Sequence, residues 1–524
     1  MNHLDLSDII QTGFSNLQVA WIICALAFGL ASIMLFLRGK YGCSILFLFL
    51  AGLILRVLSA GLDPFLWTWD EQYHALVAKN MVLHPFKPML ISNPVLDYDF
   101  RNWLEDNIWL HKQPFFLWQI ALFFKIFGTN EFVLRLPTAI MMSLLILLIY
   151  RIGSLTTTRA IGWCGAFIYT FAFFFVEFPS GCKFTDHNDG AFVFYVTLSI
   201  WSWVEYVDSN KRYWLVLIGL FAGIAILNKW LVGLLVYSGW SLSVFLCKPK
   251  NQWLSCHKKM IIALLVTLLV VIPWQIFTLV SYPVESWHEF HYSSSHFFTR
   301  LDGHGESRYY HFYIVAEQYG GLLAMFLVVP GLYRLFKSME NRVFQVGFLA
   351  FVILTYLFFT LSATKMPMYC TIVSPVLFLG LGAILSRGVE KMKSVIPARL
   401  SFWVLLLLLG FLAYDILDIN RLDVNHSDKN GYWKNKRIDA VIDQQAALKL
   451  PSKDWVVFNC SVHNAVMFMF YSGATAYDYY PNATQYRRMK IEGRKIATFS
   501  DEKMPLYLEQ DPAVMKIHLK PLDY

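Results

Sequence analysis

The sequence predicts an all-α polytopic membrane protein with a small α/β domain at its C-terminal end, and three observations predict it. Of 524 residues, 57% are hydrophobic and only 15% charged, with a mean hydropathy of +0.47, a composition no water-soluble domain of this length carries. Apolar runs of about 17 residues or more, enough to cross ~30 Å of hydrocarbon, recur between Val19 and Leu417. From about Asn420 the chain turns polar and mixed.

About twelve spans are expected, at 19–37, 43–62, 132–151, 160–178, 190–207, 213–228, 230–247, 260–280, 321–336, 344–362, 367–385 and 400–417. The first follows an acidic start (Asp5, Asp8) without a basic segment, so it reads as a retained helix rather than a cleaved signal. Segment 115–127 is apolar but short and holds Lys125, which predicts an interfacial helix. With this count, Arg38/Lys40, Arg151/Arg159, Lys211/Arg212, Lys248/Lys250/Lys258/Lys259, Arg334/Lys337/Arg342 and Arg387/Lys391/Lys393/Arg399 share one face. The positive-inside rule makes that face cytoplasmic. The formal charge of +8 is dispersed over these loops, so it reports topology and not a nucleic-acid partner.

The opposite face receives the long loop 63–131, the turn 186–189, Asn228-Lys229, the loop 281–320, the link 363–365 and the C-terminal tail. Within the tail, β-like runs at 455–459, 495–499 and 514–519 flank a helical stretch at 463–471, which predicts a small α/β domain outside the membrane. Asn482-Ala-Thr484 fits a glycosylation sequon. The eight cysteines lie mostly in apolar runs without CxxC spacing and predict neither a disulfide framework nor a structural zinc site.

The chemistry-bearing residues gather on that same face. Asp70 and Glu71 follow an apolar run; the pair suits a helix start, an adequate account of Glu71 alone, but adjacent acids at a bilayer surface favour a functional Asp70. Lys112, before Gln113-Pro114, can meet a phosphate at headgroup depth or simply snorkel. Asp186, His187, Asn188 and Asp189 form a polar turn between spans, one aspartate of which opens a helix facing any cavity there. Lys229 reads as a topological stop. Lys365 precedes Pro367 at an anion-receptive helix start, and Arg300, His304 and Arg308 share their loop with Asp302 and Glu306.

The order of these motifs (Asp70-Glu71; Lys112-Gln113-Pro114; Phe127-Gly128 with Arg135-Leu136-Pro137; Asn228-Lys229-Trp230; Ile272-Pro273-Trp274; Lys365 through Tyr369) resembles the GT-C glycosyltransferases. It is most similar to the protein O-mannosyltransferase and lipid A aminoarabinose transferase superfamily, from about Leu46 to Leu385. The resemblance implies inverting transfer of a sugar from a polyprenyl-phosphate donor to a protein, glycan or lipid acceptor at the outer face of a bacterial inner membrane. It implies catalytic roles for Asp70 and Asp189, with Glu71 beside them, and a donor-phosphate site of Lys112 and Tyr369 supported by Lys365 or Arg308. Asp186, His187, Lys229 and His304 complete the candidates. No cofactor is required on this reading; a divalent cation is compatible with it but not indicated. The chain departs from the pattern at Tyr73, where the aminoarabinose transferases carry arginine, and at Gln113. The expected parts are an added helix in 1–42, the GT-C membrane domain in 43–419 and a soluble domain in 420–524. A flippase of lipid-linked sugars is the competing reading, but it calls for charged groups at mid-membrane or on both faces.

Overall fold

The computed structural model describes residues 13–103, 105–182, 186–301, 303–427, 429, 454–460 and 464–517. Most of them are helical. The first two helices, α1 (Asn16–Leu37) and α2 (Tyr41–Ala60), form a hairpin, and α1 starts at a capping box of Ser15 and Gln18 that satisfies two backbone donors at once. The loop that follows carries α3 (Asp70–Met81) and α4 (Phe115–Phe127). The latter is too short to cross a bilayer; it buries Phe116, Leu117, Ile120 and Phe124 and leaves Leu122, Ile126 and Phe127 exposed.

The membrane core continues through α5 (Glu131–Thr156), the bent pair α6 (Arg159–Phe171) and α7 (Phe173–Glu177), α8 (Asp186–Ser209), α9 (Tyr213–Lys229), α10 (Leu235–Cys247) and α11 (Lys250–Ser281). After α12 (Pro283–Ser295) come α13 (Tyr310–Tyr319), α14 (Gly321–Lys337), α15 (Arg342–Leu361), α16 (Ser374–Val395), α17 (Ala398–Leu417) and the short α18 (Ile419–Asn425). Asn130, Thr158 and Asn341 cap α5, α6 and α15 through side-chain oxygens, as short polar residues do at the edge of apolar runs.

Nine helical runs are long and apolar enough to cross a membrane, eleven if each bent pair is one span. One of the nine, Tyr213–Cys247, is two passes: Lys229 meets Asp189 at the start of α8, while Lys248 shares a cavity with Tyr206 near its other end. The chain reverses at Trp230, whose φ of 57° breaks the helix. Counted as two, and with each bent pair taken as one span, it brings the candidate passes among the described residues to twelve, in the expected order. Close packing relies on small residues: a Cβ on Gly382 would lie 2.4 Å from the Gly165 amide nitrogen, and one on Gly331 would lie 2.8 Å from the Gly380 carbonyl.

The C-terminal unit is a four-stranded, wholly parallel sheet of order β2-β1-β3-β4, built from β1 (Trp455–Phe458), β2 (Thr475–Ala476), β3 (Lys495–Phe499) and β4 (Met515–Ile517). Its crossovers are α19 (Asn464–Ser472), α20 (Ala483–Ile491) and α21 (Leu506–Glu509). The strand β2, two residues bounded by Gly473, was not expected, and part of the tail expected to fold, including 430–453, lies outside the described residues. The sequon residue Asn482 caps α20, accepting from the amides of Thr484 and Gln485.

This unit docks on loop 63–131. The Tyr477 hydroxyl accepts from the amides of Val95 and Leu96 at 3.0 and 3.1 Å, the Tyr471 hydroxyl accepts from Leu66 at 3.2 Å and bonds Glu131, and Lys79 reaches the Phe470 carbonyl.

Candidate functional site

The site forms where α3, the Lys112 turn, the start of α8, the end of α9 and the 362–369 segment converge. Asp70 is the first residue of α3, after Trp69 at φ 75°, a value that costs a bulky residue about 1–3 kcal/mol. Its carboxylate lies 3.9 Å from the Lys112 ammonium, both side chains partly exposed. Across the cavity, buried Asp189 pairs with Lys229, whose ammonium stands 4.7 Å from the centre of the Tyr369 ring. Lys112, Lys229 and Tyr369, from three separate segments, thus line one pocket, with Asp70 and Asp189 paired to its two lysines.

A cavity of about 160 Å³ lies between them, lined by Lys112, Gln113, Asn188, Lys229, His296 and Tyr369 among others. The side-chain oxygens of Asn188 and Asn228, both lining residues, are buried without a hydrogen-bond partner among the described residues, as is Oδ2 of Asp189. Buried polar atoms are normally satisfied, so these face a place where a polar ligand fits. A second cavity of about 320 Å³ shares Lys112, Gln113 and Trp230 with the first and is otherwise walled largely by apolar residues such as Val271, Trp274, Leu279 and Phe290.

Other expected residues are placed differently. Glu71 does not face the cavity: Arg135 grips it with two bonds of 2.7 and 2.9 Å, the Trp67 amide donates at 2.6 Å and His187 lies 3.7 Å away. Gly181 makes the room, since a Cβ there would sit 2.0 Å from the carboxylate. Burial pushes the Glu71 carboxyl up, but Arg135 and His187 outweigh it and hold it below the ordinary value. Its place is structural, and so is that of His187, which bridges Glu71 and Thr138.

Lys365 is buried and donates to the carbonyls of Phe359 and Thr360 at 3.1 Å and to that of Ser362, closing the end of α15 instead of facing ligand. Burial first, then the Arg308 charge, holds its ammonium below the usual lysine value. Arg308 is exposed and His304 offers its carbonyl to the Lys365 amide; neither lines the two cavities. Asp186 opens α8, and its side chain lies outside what is described. Lys229, a candidate whose plainer reading is a topological stop, pairs with Asp189 and lines the first cavity. Gln113, Asn188, Asn228 and Glu289, which lies 3.3 Å from His111, carried little signal because single amides and acids on loops resemble solvated connectors.

Residues 111–277 match the dolichyl-phosphate-mannose-protein mannosyltransferase family model, a segment holding Lys112, Asp189 and Lys229. An uncharacterized protein of Aquifex aeolicus (strain VF5) is 28% identical over 190 residues, 36% of this chain and 34% of that one, so the match spans about a third of that relative. Among solved structures, ArnT from Cupriavidus metallidurans bound to undecaprenyl phosphate matches with a TM-score of 0.62 at 16% identity, covering 85% of this chain and 88% of that one. The archaeal oligosaccharyltransferase AglB from Archaeoglobus fulgidus, in complex with an inhibitory peptide and a dolichol-phosphate, gives 0.55 at 12% identity, covering 83% and 64%. The chain thus has the GT-C fold of these structures and the apolar helices of a multi-pass membrane protein, and its residues 111–277 are similar to the dolichyl-phosphate-mannose-protein mannosyltransferase family.

Proposed function

We propose that the protein is an inverting glycosyltransferase that moves a sugar from a polyprenyl-phosphate donor to an acceptor at the membrane face bearing the C-terminal domain. The observation that carries this reading is the pairing of two cavities: the more polar one lined by Lys112 and Lys229, whose partners are Asp70 and Asp189, the other apolar and joined to it at Lys112 and Trp230. An amphiphile with a single phosphate between tail and sugar suits that arrangement. The basic loops at the opposite ends of the helices support an exterior, periplasmic site in a bacterial inner membrane.

The prenyl tail lies along the apolar groove, and its phosphate meets the two ammoniums, with Tyr369 against Lys229. Breaking the bond between the anomeric carbon and the phosphate oxygen leaves charge on the departing phosphate, which positioned cations stabilise. The acceptor oxygen attacks from the opposite side. Where the acceptor is a hydroxyl, Asp70 takes its proton; where it is an ionised phosphate, Asp70 orients it. Asn188 and Asn228 supply unsatisfied amide oxygens for sugar hydroxyls. Asp70→Asn is expected to lower turnover of a prenyl-phosphate sugar in detergent by about 10²–10⁴-fold with donor binding retained. Lys112→Ala is expected to weaken donor binding instead. Full activity in Asp70→Asn would refute the role.

A further inference from the structure

The end of α7 and the linker into the C-terminal unit meet in a polar cluster that the proposed reaction does not use. Glu177 closes α7, Cys182 follows Gly181 at φ 83°, and His426 follows α18. All three are buried, and a carboxylate oxygen, the thiol sulfur and an imidazole nitrogen lie within 4.8 Å of one another. Nδ1 of His426 sits 2.7 Å from Oδ2 of Asp63, which also accepts from Trp67 Nε1 at 3.1 Å. With its proton on Nδ1, the imidazole turns the Nε2 lone pair toward Glu177 and Cys182. Nε2 is buried and makes no hydrogen bond among the described residues, with Oε1 of Glu177 lying 3.6 Å away.

We propose that Glu177, Cys182 and His426 bind a zinc-class transition-metal ion that clamps the linker of the C-terminal unit to the membrane core. A thiolate, an imidazole and a carboxylate form a donor set suited to zinc and unlike the oxygen cages of calcium or magnesium. Metal–ligand lengths of about 2.0–2.3 Å put tetrahedral donors roughly 3.5 Å apart, so side-chain movements of about an ångström close the site. Asp63 behind His426 is the carboxylate that metal-binding histidines use to fix their tautomer. The Asn425 side chain, 2.5 Å from Oε1 of Glu177, or a water completes the shell. Binding releases the Cys182 thiol proton to solvent. The isolated position of this cysteine in the sequence, without CxxC spacing, gave no sign of such a site, because its partners come from segments more than two hundred residues apart.

The test uses the purified full chain in detergent, stripped by a chelator and titrated with Zn²⁺ against a chromophoric competitor. One equivalent is expected to bind. Co²⁺ in its place is expected to give a thiolate-to-cobalt charge-transfer band that Cys182→Ser abolishes. His426→Gln is expected to weaken Zn²⁺ binding about 100-fold, and Asp63→Asn about 10–100-fold, while Glu289→Gln, at the separate His111 pair, leaves the cobalt band intact. Absence of Zn²⁺ uptake by the wild type, a cobalt band insensitive to Cys182→Ser, or one lost only in Glu289→Gln would overturn the proposal and leave the cluster a hydrogen-bonded network.

Discussion

Asp70 and Glu71 are successive residues at a helix start, and the ~100° turn between them sends one to Lys112 and the other to Arg135. The carboxylate of Glu71 is enclosed and doubly hydrogen-bonded, so removing it leaves a buried guanidinium uncompensated. Glu71→Gln is expected to destabilise the protein by about 3–5 kcal/mol, read as a fall in thermal midpoint in detergent. Because the folded Glu71 carboxyl is held below its ordinary value, its contribution is present above the unfolded value and lost as pH falls through the folded one. Asp106 shows the opposite sign. It is 1% exposed, and burial, with the Glu289 and Glu285 carboxylates, raises it to about 9. Its contribution is complete below the unfolded carboxyl value and is lost as pH rises toward about 9. Asp106→Asn is therefore expected to flatten the decline in thermal midpoint between neutral pH and about 9. A decline as steep as in wild type would contradict the assignment.

At the scale of elements, helix contacts depend on backbone approach as much as on apolar faces. α6 and α16 touch at Gly165 and Gly382, where a Cβ has no space. Gly382→Val is expected to separate them, lowering folded yield and thermal midpoint in detergent, whereas Gly388→Ala, with nothing within 4 Å of its Cβ, is expected to be neutral. Hydropathy revealed the candidate passes found among the described residues, since a bilayer demands long apolar runs whatever their neighbours. The breaks were less visible: the 109° bend at Gly320-Gly321 follows from glycine chemistry, but Trp230 at positive φ does not follow from its residue type. The cavity was legible in its lysines and aspartates, which are costly at a membrane surface. What sequence could not resolve was pairing: Lys365 and Lys112 look alike until one is seen tied to carbonyls and the other open to a pocket.

For the whole molecule, the C-terminal unit acts as a brace on loop 63–131, which carries Asp70 and Lys112. Tyr477→Phe removes the acceptor for the Val95 and Leu96 amides and is expected to raise hydrogen exchange there about tenfold, as loss of roughly 1.4 kcal/mol of local protection requires. Unchanged protection would show that the loop holds its shape unaided. The parallel strands were partly legible as short β-branched runs, whereas their docking rests on tyrosine hydroxyls with no pattern of their own. The two cavities meeting at Lys112 and Trp230 carry a consequence for traffic on the proposed reading. The prenyl-phosphate product would leave sideways along the apolar cavity while the acceptor occupies the more polar one, so the two need not share a path.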